Sequence, residues 1–132
     1  VFQVYQIHEV IHFAGYKAVG EAVQNPLKYY ENNLMTSITI LKLIEKYKGV
    51  CKAFLFSSTA TVYDDQFEET SPCSPSQPYG RTKHMVEIIM KDYAHTDPNL
   101  FCMSLRYFNP IGAHPSGKIG EAPQMPNNLL PV

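Results

Sequence analysis

Lys52-Ala-Phe-Leu-Phe-Ser57 runs directly into the hydroxyl-rich Ser57-Ser-Thr-Ala-Thr-Val-Tyr63, and further along the chain stands Pro78-Tyr-Gly-Arg-Thr-Lys83. The first stretch is apolar throughout, as expected of a strand in a parallel sheet with both faces covered. Its carboxyl end carries the hydroxyls. The intervening Glu68–Pro78 segment is rich in Ser and Pro and reads as loop. A helix then runs from Tyr79 to about Ala94, with Val86, Ile89, Met90 and Tyr93 on its buried side. Upstream, Val10-Ile-His-Phe-Ala-Gly15 is a β-branched and aromatic run closed by Gly, which predicts a buried strand entering a tight turn. Asn25-Pro26 is a helix start, Asn as cap and Pro in the first position. Leu27, Tyr30, Leu34, Ile38, Leu41 and Ile44 then recur every three or four residues, predicting a long amphipathic helix that ends near Gly49. Phe101–Tyr107 is a third strand, and the Gly-, Pro- and Asn-punctuated chain after Phe108 reads as a binding loop.

Strand–helix–strand–helix–strand implies an α/β fold: a parallel sheet with right-handed crossovers, Rossmann-like but partial. In such sheets ligands sit beyond the carboxyl ends of the strands. Those ends carry Ala14-Gly15, Ser57-Ser58-Thr59 and Phe108-Asn109, so candidate site residues converge. Composition narrows the ligand class. A net charge of −1 and a charged fraction of 17% leave no basic footprint for nucleic acid and no polybasic membrane anchor. Small soluble ligands are expected. No run of about 18 apolar residues predicts a membrane span. Cys51, Cys73 and Cys102 have no Cys-x-x-Cys spacing, which suggests reduced thiols and a cytoplasmic setting.

On a helix, Tyr79 and Lys83 lie on one face with Cβ atoms ~5–6 Å apart. A charge ~6 Å from the phenol at an effective dielectric of ~20 is worth roughly 3 kcal/mol, about two pKa units. That would bring a phenol normally at ~10 close to 8, making Tyr79 a general base near neutral pH. A second pattern, His8-Glu-Val-Ile-His12, matches the H-E-x-x-H of zinc proteases. A strand places residues four apart ~13 Å from each other, too far to share an ion. His12 is therefore expected to be a packed strand residue, and no metal site is expected.

His12-Phe-Ala-Gly-Tyr-Lys-Ala-Val-Gly-Glu21, the Ser57–Tyr63 cluster, Pro78–Lys83, Arg106-Tyr-Phe-Asn-Pro110 and Pro126-Asn-Asn-Leu129 stand in one characteristic order. This order closely resembles that of the UDP-glucose 4-epimerases, extended short-chain dehydrogenases/reductases. The resemblance implies interconversion of UDP-glucose and UDP-galactose, in galactose metabolism, with NAD as a temporary hydride store and a 4-ketose between. It implies that Tyr79 takes the proton of the sugar 4-hydroxyl, that Lys83 tunes Tyr79 and holds the nicotinamide ribose, and that Thr59 bonds the reacting oxygen. Phe13, Ala14, Gly15, Lys17, Asn32, Ser57 and Phe108 resemble cofactor contacts; Asn109, Asn127, Asn128 and Leu129 resemble UDP-sugar contacts. The family usually has Ser at Thr59, Leu at Tyr16 and Gly at Asp64. The two long helices resemble the faces through which epimerases form homodimers.

The same resemblance divides the chain into a partial NAD-binding region over 1–108, without the fold's first three strands, and the start of the UDP-sugar region over 109–132. The family's Gly-x-x-Gly-x-x-Gly phosphate loop, whose amides and helix dipole bind the cofactor pyrophosphate, is absent from these 132 residues. Weak NAD binding and little activity are therefore expected of the isolated chain, together with aggregation or a partner at an unpaired sheet edge. The alternatives are another nucleotide-sugar epimerase of the family and a non-catalytic remnant that binds sugar nucleotide or pairs with another subunit. A dehydratase would place Asp-Glu after Thr59, where this chain has Ala60-Thr61.

Overall fold

The computed structural model describes residues 1–112 and 114–120. Three strands, β1 (Glu9–His12), β2 (Ala53–Thr59) and β3 (Phe101–Tyr107), form a parallel sheet in the order β1-β2-β3. His12 pairs with Phe56, and Phe56 with Ser104. Helices α1 (Val19–Gln24) and α2 (Pro26–Lys46) connect the first two strands, and α3 (Pro78–Ala94) connects β2 to β3. A single 3-10 turn, Ala60–Val62, follows β2. Among the described residues no helix is long and apolar enough to cross a membrane.

The strands and the two long helices fall where the sequence places them; α1 is an addition. It has no side-chain cap at its start, and its six residues are too short an apolar period to announce a helix. The start of α2 also differs in its cause. Asn25 makes no side-chain cap, so Pro26 in the first turn is what sets the boundary.

The core lies on one side of the sheet. Phe54 and Phe56 of β2 meet Leu41 and Ile44 of α2, Val86 and Met90 of α3, and Cys51 and Leu100 at the strand entries. Each fully buried Phe contributes about 2–3 kcal/mol of hydrophobic stabilisation. Alternation along the strands turns Ile11, Leu55, Phe101 and Met103 to the opposite side, and there Ile11 is 60% and Phe101 55% exposed. The expected double cover is thus a single cover among the described residues. β1 is an edge strand, as expected from the sequence.

The buried stripe of α2 is not the apolar one. Tyr29, Asn33, Ser37, Leu41 and Ile44 face the core, while Leu27 is 80% exposed and Tyr30, Leu34 and Ile38 are half-buried. Polar side chains occupy that face because each finds a partner there. Ser37 is hydrogen-bonded to His12 Nε2 at 2.9 Å, and Asn33 Nδ2 donates to Thr82 Oγ1 at 3.2 Å.

Candidate active site

The carboxyl ends of all three strands open into one cleft of about 710 Å³. Its walls include Phe13, Gly15 and Lys17 after β1, Ser57, Ser58 and Thr59 at the end of β2, Tyr79 and Lys83 of α3, and Phe108 and Asn109 after β3. Ala14 and Asn32 do not line it; the Asn32 amide donates to Asn33 Oδ1 at 3.0 Å. Asn127, Asn128 and Leu129 lie outside the described residues. Gly15 has a φ of 156°, and a Cβ there would stand 3.1 Å from Asn33 Oδ1, so this turn admits backbone alone. Phe108 is held over the mouth by an edge contact with Phe67, ring centroids 5.3 Å apart.

Lys83 is buried, with Nζ donating to the Ser57 carbonyl at 2.7 Å and sitting 4.7 Å above the Phe56 ring centroid. Burial lowers its pKa from 10.5 to about 8. Nζ lies 5.8 Å from the centroid of the Tyr79 ring, close to the separation expected from helical spacing. The consequence for Tyr79 is the reverse of that expectation. Burial pushes the phenol up, and interaction with the Thr59 side chain pulls it only partly back. Desolvation outweighs the neighbouring charge, and the ammonium turns toward Ser57 instead of the phenol. Tyr79 is therefore a neutral acid in the protein alone. A further positive charge in the cleft is needed to make it a base near neutral pH.

Thr59 ends β2 and caps the 3-10 turn, its Oγ1 accepting from Thr61 N at 3.2 Å. The first turn of α3 rests on this turn so closely that a Cβ at Gly80 would lie 2.5 Å from the Thr61 carbonyl oxygen. Gly80 thereby sets how near Tyr79 stands to Thr59. Asn33 plays a similar part on the other wall. Its Oδ1 accepts from Tyr16 N at 2.8 Å and its Nδ2 donates to Tyr16 O at 3.1 Å and to Thr82. It ties the turn after β1 to α3.

Beneath Thr59, Ser58 Oγ donates to Glu87, which Arg106 grips with two donors at 3.1 and 2.7 Å; Arg106 also donates to the Tyr63 hydroxyl. The ion pair holds the Arg106 guanidinium further above its ordinary value. The sequence places Ser58 among the strand-end residues but gives no site role to Gly80, Asn33 or Glu87. Gly within the first turn of a helix, where it weakens the helix, was the available signal for Gly80; the others carry none short of the fold. His12, of the H-E-x-x-H pattern, is buried between Phe54 and Phe56, and burial with the nearby Lys83 charge lowers its pKa to about 4. It is a neutral core residue at neutral pH.

Comparison with known proteins converges on one group. Residues 1–130 match the NAD dependent epimerase/dehydratase family. A UDP-glucose 4-epimerase of Dictyostelium discoideum is 52% identical over 99% of this chain and 39% of its own length, and one of Yersinia pestis is 51% identical over 99% and 40%. A UDP-glucose 4-epimerase structure from Bifidobacterium longum, in complex with NAD+ and UDP, superposes with a TM-score of 0.89 at 45% identity, over 98% of this chain and 40% of the other. The chain thus spans about two fifths of the length of the relatives it matches.

Proposed function

This chain belongs to the NAD-dependent epimerase/dehydratase family, and from that premise we propose that it carries the proton-transfer and nicotinamide-facing part of a UDP-glucose 4-epimerase. The observation that supports this most is the convergence of Thr59, Tyr79 and Lys83 in a cleft whose other walls are the Gly15 turn and Phe108-Asn109. The residues fit the nicotinamide half of NAD. Gly15 leaves a side-chain-free approach, Phe13, 65% exposed, and Phe108 offer apolar faces, and one of the three Lys83 N–H donors is engaged with Ser57. Bound NAD supplies a reversible hydride acceptor and a positive charge.

The chain's own groups then do the following. Tyr79 Oη, ionised once that positive charge offsets its burial, takes the proton of the sugar 4-hydroxyl as C4 is oxidised, and returns it when C4 is reduced on its other face. Thr59 Oγ1, fixed by the 3-10 turn, holds the reacting oxygen beside Tyr79. Its methyl group makes this contact stiffer than Ser would. Lys83 orients the ribose and supports the phenolate, protonated for the most part at neutral pH and close to its midpoint at pH 8. Asn109 lines the cleft, and in this reading it contributes to UDP-sugar binding together with Asn127, Asn128 and Leu129. Ala14 and Asn32 act through the Gly15–Tyr16 turn that Asn33 holds.

In this reading residues 1–108 serve the cofactor and 109–132 begin the sugar-nucleotide region. The exposed Leu27, Met35, Met85 and Ile88 on α2 and α3 support a homodimer through these helices. The free thiols of Cys51, Cys73 and Cys102 support a cytoplasmic location. The test is a chimera in which residues 1–132 replace the matching segment of the Dictyostelium relative. Conversion of UDP-galactose to UDP-glucose by the chimera is expected; a folded, NAD-loaded chimera without conversion would refute the reading.

A further inference from the structure

Cys73, His84 and Glu87 each offer one ligand atom, and the three atoms lie within 4.8 Å of one another. We propose that these residues form a binding site for a borderline-soft divalent cation of the zinc class. His84 and Glu87 are three apart on α3 and share one face, the spacing by which helical bundles present His and carboxylate to a metal. Cys73 reaches them from the loop ahead of α3. A sulfur, a nitrogen and an oxygen donor suit Zn2+ and disfavour Mg2+ or Ca2+, which take oxygen alone.

A second observation points the same way. His84 Nδ1 is buried and has no hydrogen-bond partner, so this imidazole edge is uncommitted. Ligand bonds of 2.0–2.3 Å put the donor atoms of a tetrahedral ion roughly 3.3–3.8 Å apart. The trio needs to close by about an ångström, within reach of side-chain rotation. Glu87 already accepts from Arg106 and Ser58, but a carboxylate has about four acceptor positions and can serve a cation as well. With three protein ligands, water takes the fourth position, and affinity falls below that of closed four-ligand sites.

Binding exchanges a proton for the metal. The Cys73 S–H bond breaks, the S–metal bond forms, and the proton leaves to solvent. Because a proton is released on binding, affinity rises with pH. The site also touches the cleft. Glu87 holds Ser58, and Ser58 precedes Thr59 on β2, so an occupied site draws on the charge that anchors the strand end. None of this rests on the family assignment.

The experiment is Co2+ titration of the purified, metal-free 132-residue chain without nucleotide. A single Co2+ with thiolate-to-metal charge-transfer absorption is expected, displaced by Zn2+. Cys73→Ser should abolish that absorption and His84→Gln should weaken affinity by about tenfold or more, since even groups behind a ligand cost that much. The Cys51→Ser/Cys102→Ser double variant should change neither. Zn2+ should also protect Cys73 from alkylation in the unaltered chain, a readout that needs no variant. Absence of the absorption, its survival in Cys73→Ser, unchanged affinity in His84→Gln, or unprotected Cys73 would each overturn the proposal.

Discussion

Replacing Lys83 with Met removes an ammonium buried at the base of the cleft, and its effect on stability should depend on pH in a calculable way. The folded protein holds Lys83 near 8, against 10.5 when solvated. Its charged form is thus disfavoured by folding. The penalty is fully present below the folded value of about 8 and is relieved as pH rises toward 10.5, because the unfolded chain binds more protons across that window. At about 1.4 kcal/mol per pH unit the full gap amounts to about 3 kcal/mol, of which about 2 kcal/mol falls between pH 8 and 10. Loss of the bond to the Ser57 carbonyl offsets this by about 1–3 kcal/mol at every pH, so the absolute change at neutral pH is small. The pH dependence survives that offset. Urea unfolding of the chain and of Lys83→Met at pH 7, 8, 9 and 10 should show unaltered chain gaining about 2 kcal/mol on the variant from pH 8 to 10. A difference that stays flat would mean an ordinary, solvated lysine and would refute the reasoning.

Two further substitutions test the walls of the cleft. Gly80→Ala gains up to about 1 kcal/mol of helix propensity but drives a Cβ to 2.5 Å from the Thr61 carbonyl; overpacking of about 1–3 kcal/mol should win, and urea unfolding showing a stabilised variant would contradict the contact. Asn33→Ala leaves Tyr16 N without its acceptor and should cost about 2–3 kcal/mol; a loss below about 0.5 kcal/mol would show that the turn does not depend on Asn33.

Strand and helix positions were legible because apolar runs and Gly/Pro punctuation are local signals. Ala53–Thr59 and Pro78–Ala94 illustrate this, each within a residue or two of the reading from sequence. What escaped was the burial of polar groups. Asn33 and Ser37 look like the wet side of α2, and only the arrival of Thr82 and His12, from distant parts of the chain, makes that side the dry one. The Tyr79 pKa failed for a related reason. Helical spacing predicts the Lys83 separation correctly but says nothing of how much water the sheet removes from both groups. The cleft residues were read largely from their order along the chain, and the positions of the strand ends explain why that order brings them together.

The most direct test of the central claim is rapid mixing of the NAD-loaded chimera with UDP-galactose, reading the appearance of reduced nicotinamide with Tyr79 intact and as Tyr79→Phe. Reduction should slow by orders of magnitude in the variant with NAD still bound, because the sugar 4-hydroxyl has lost its proton acceptor. An unchanged rate would show that another group takes the proton, and the role assigned to Tyr79 would fall.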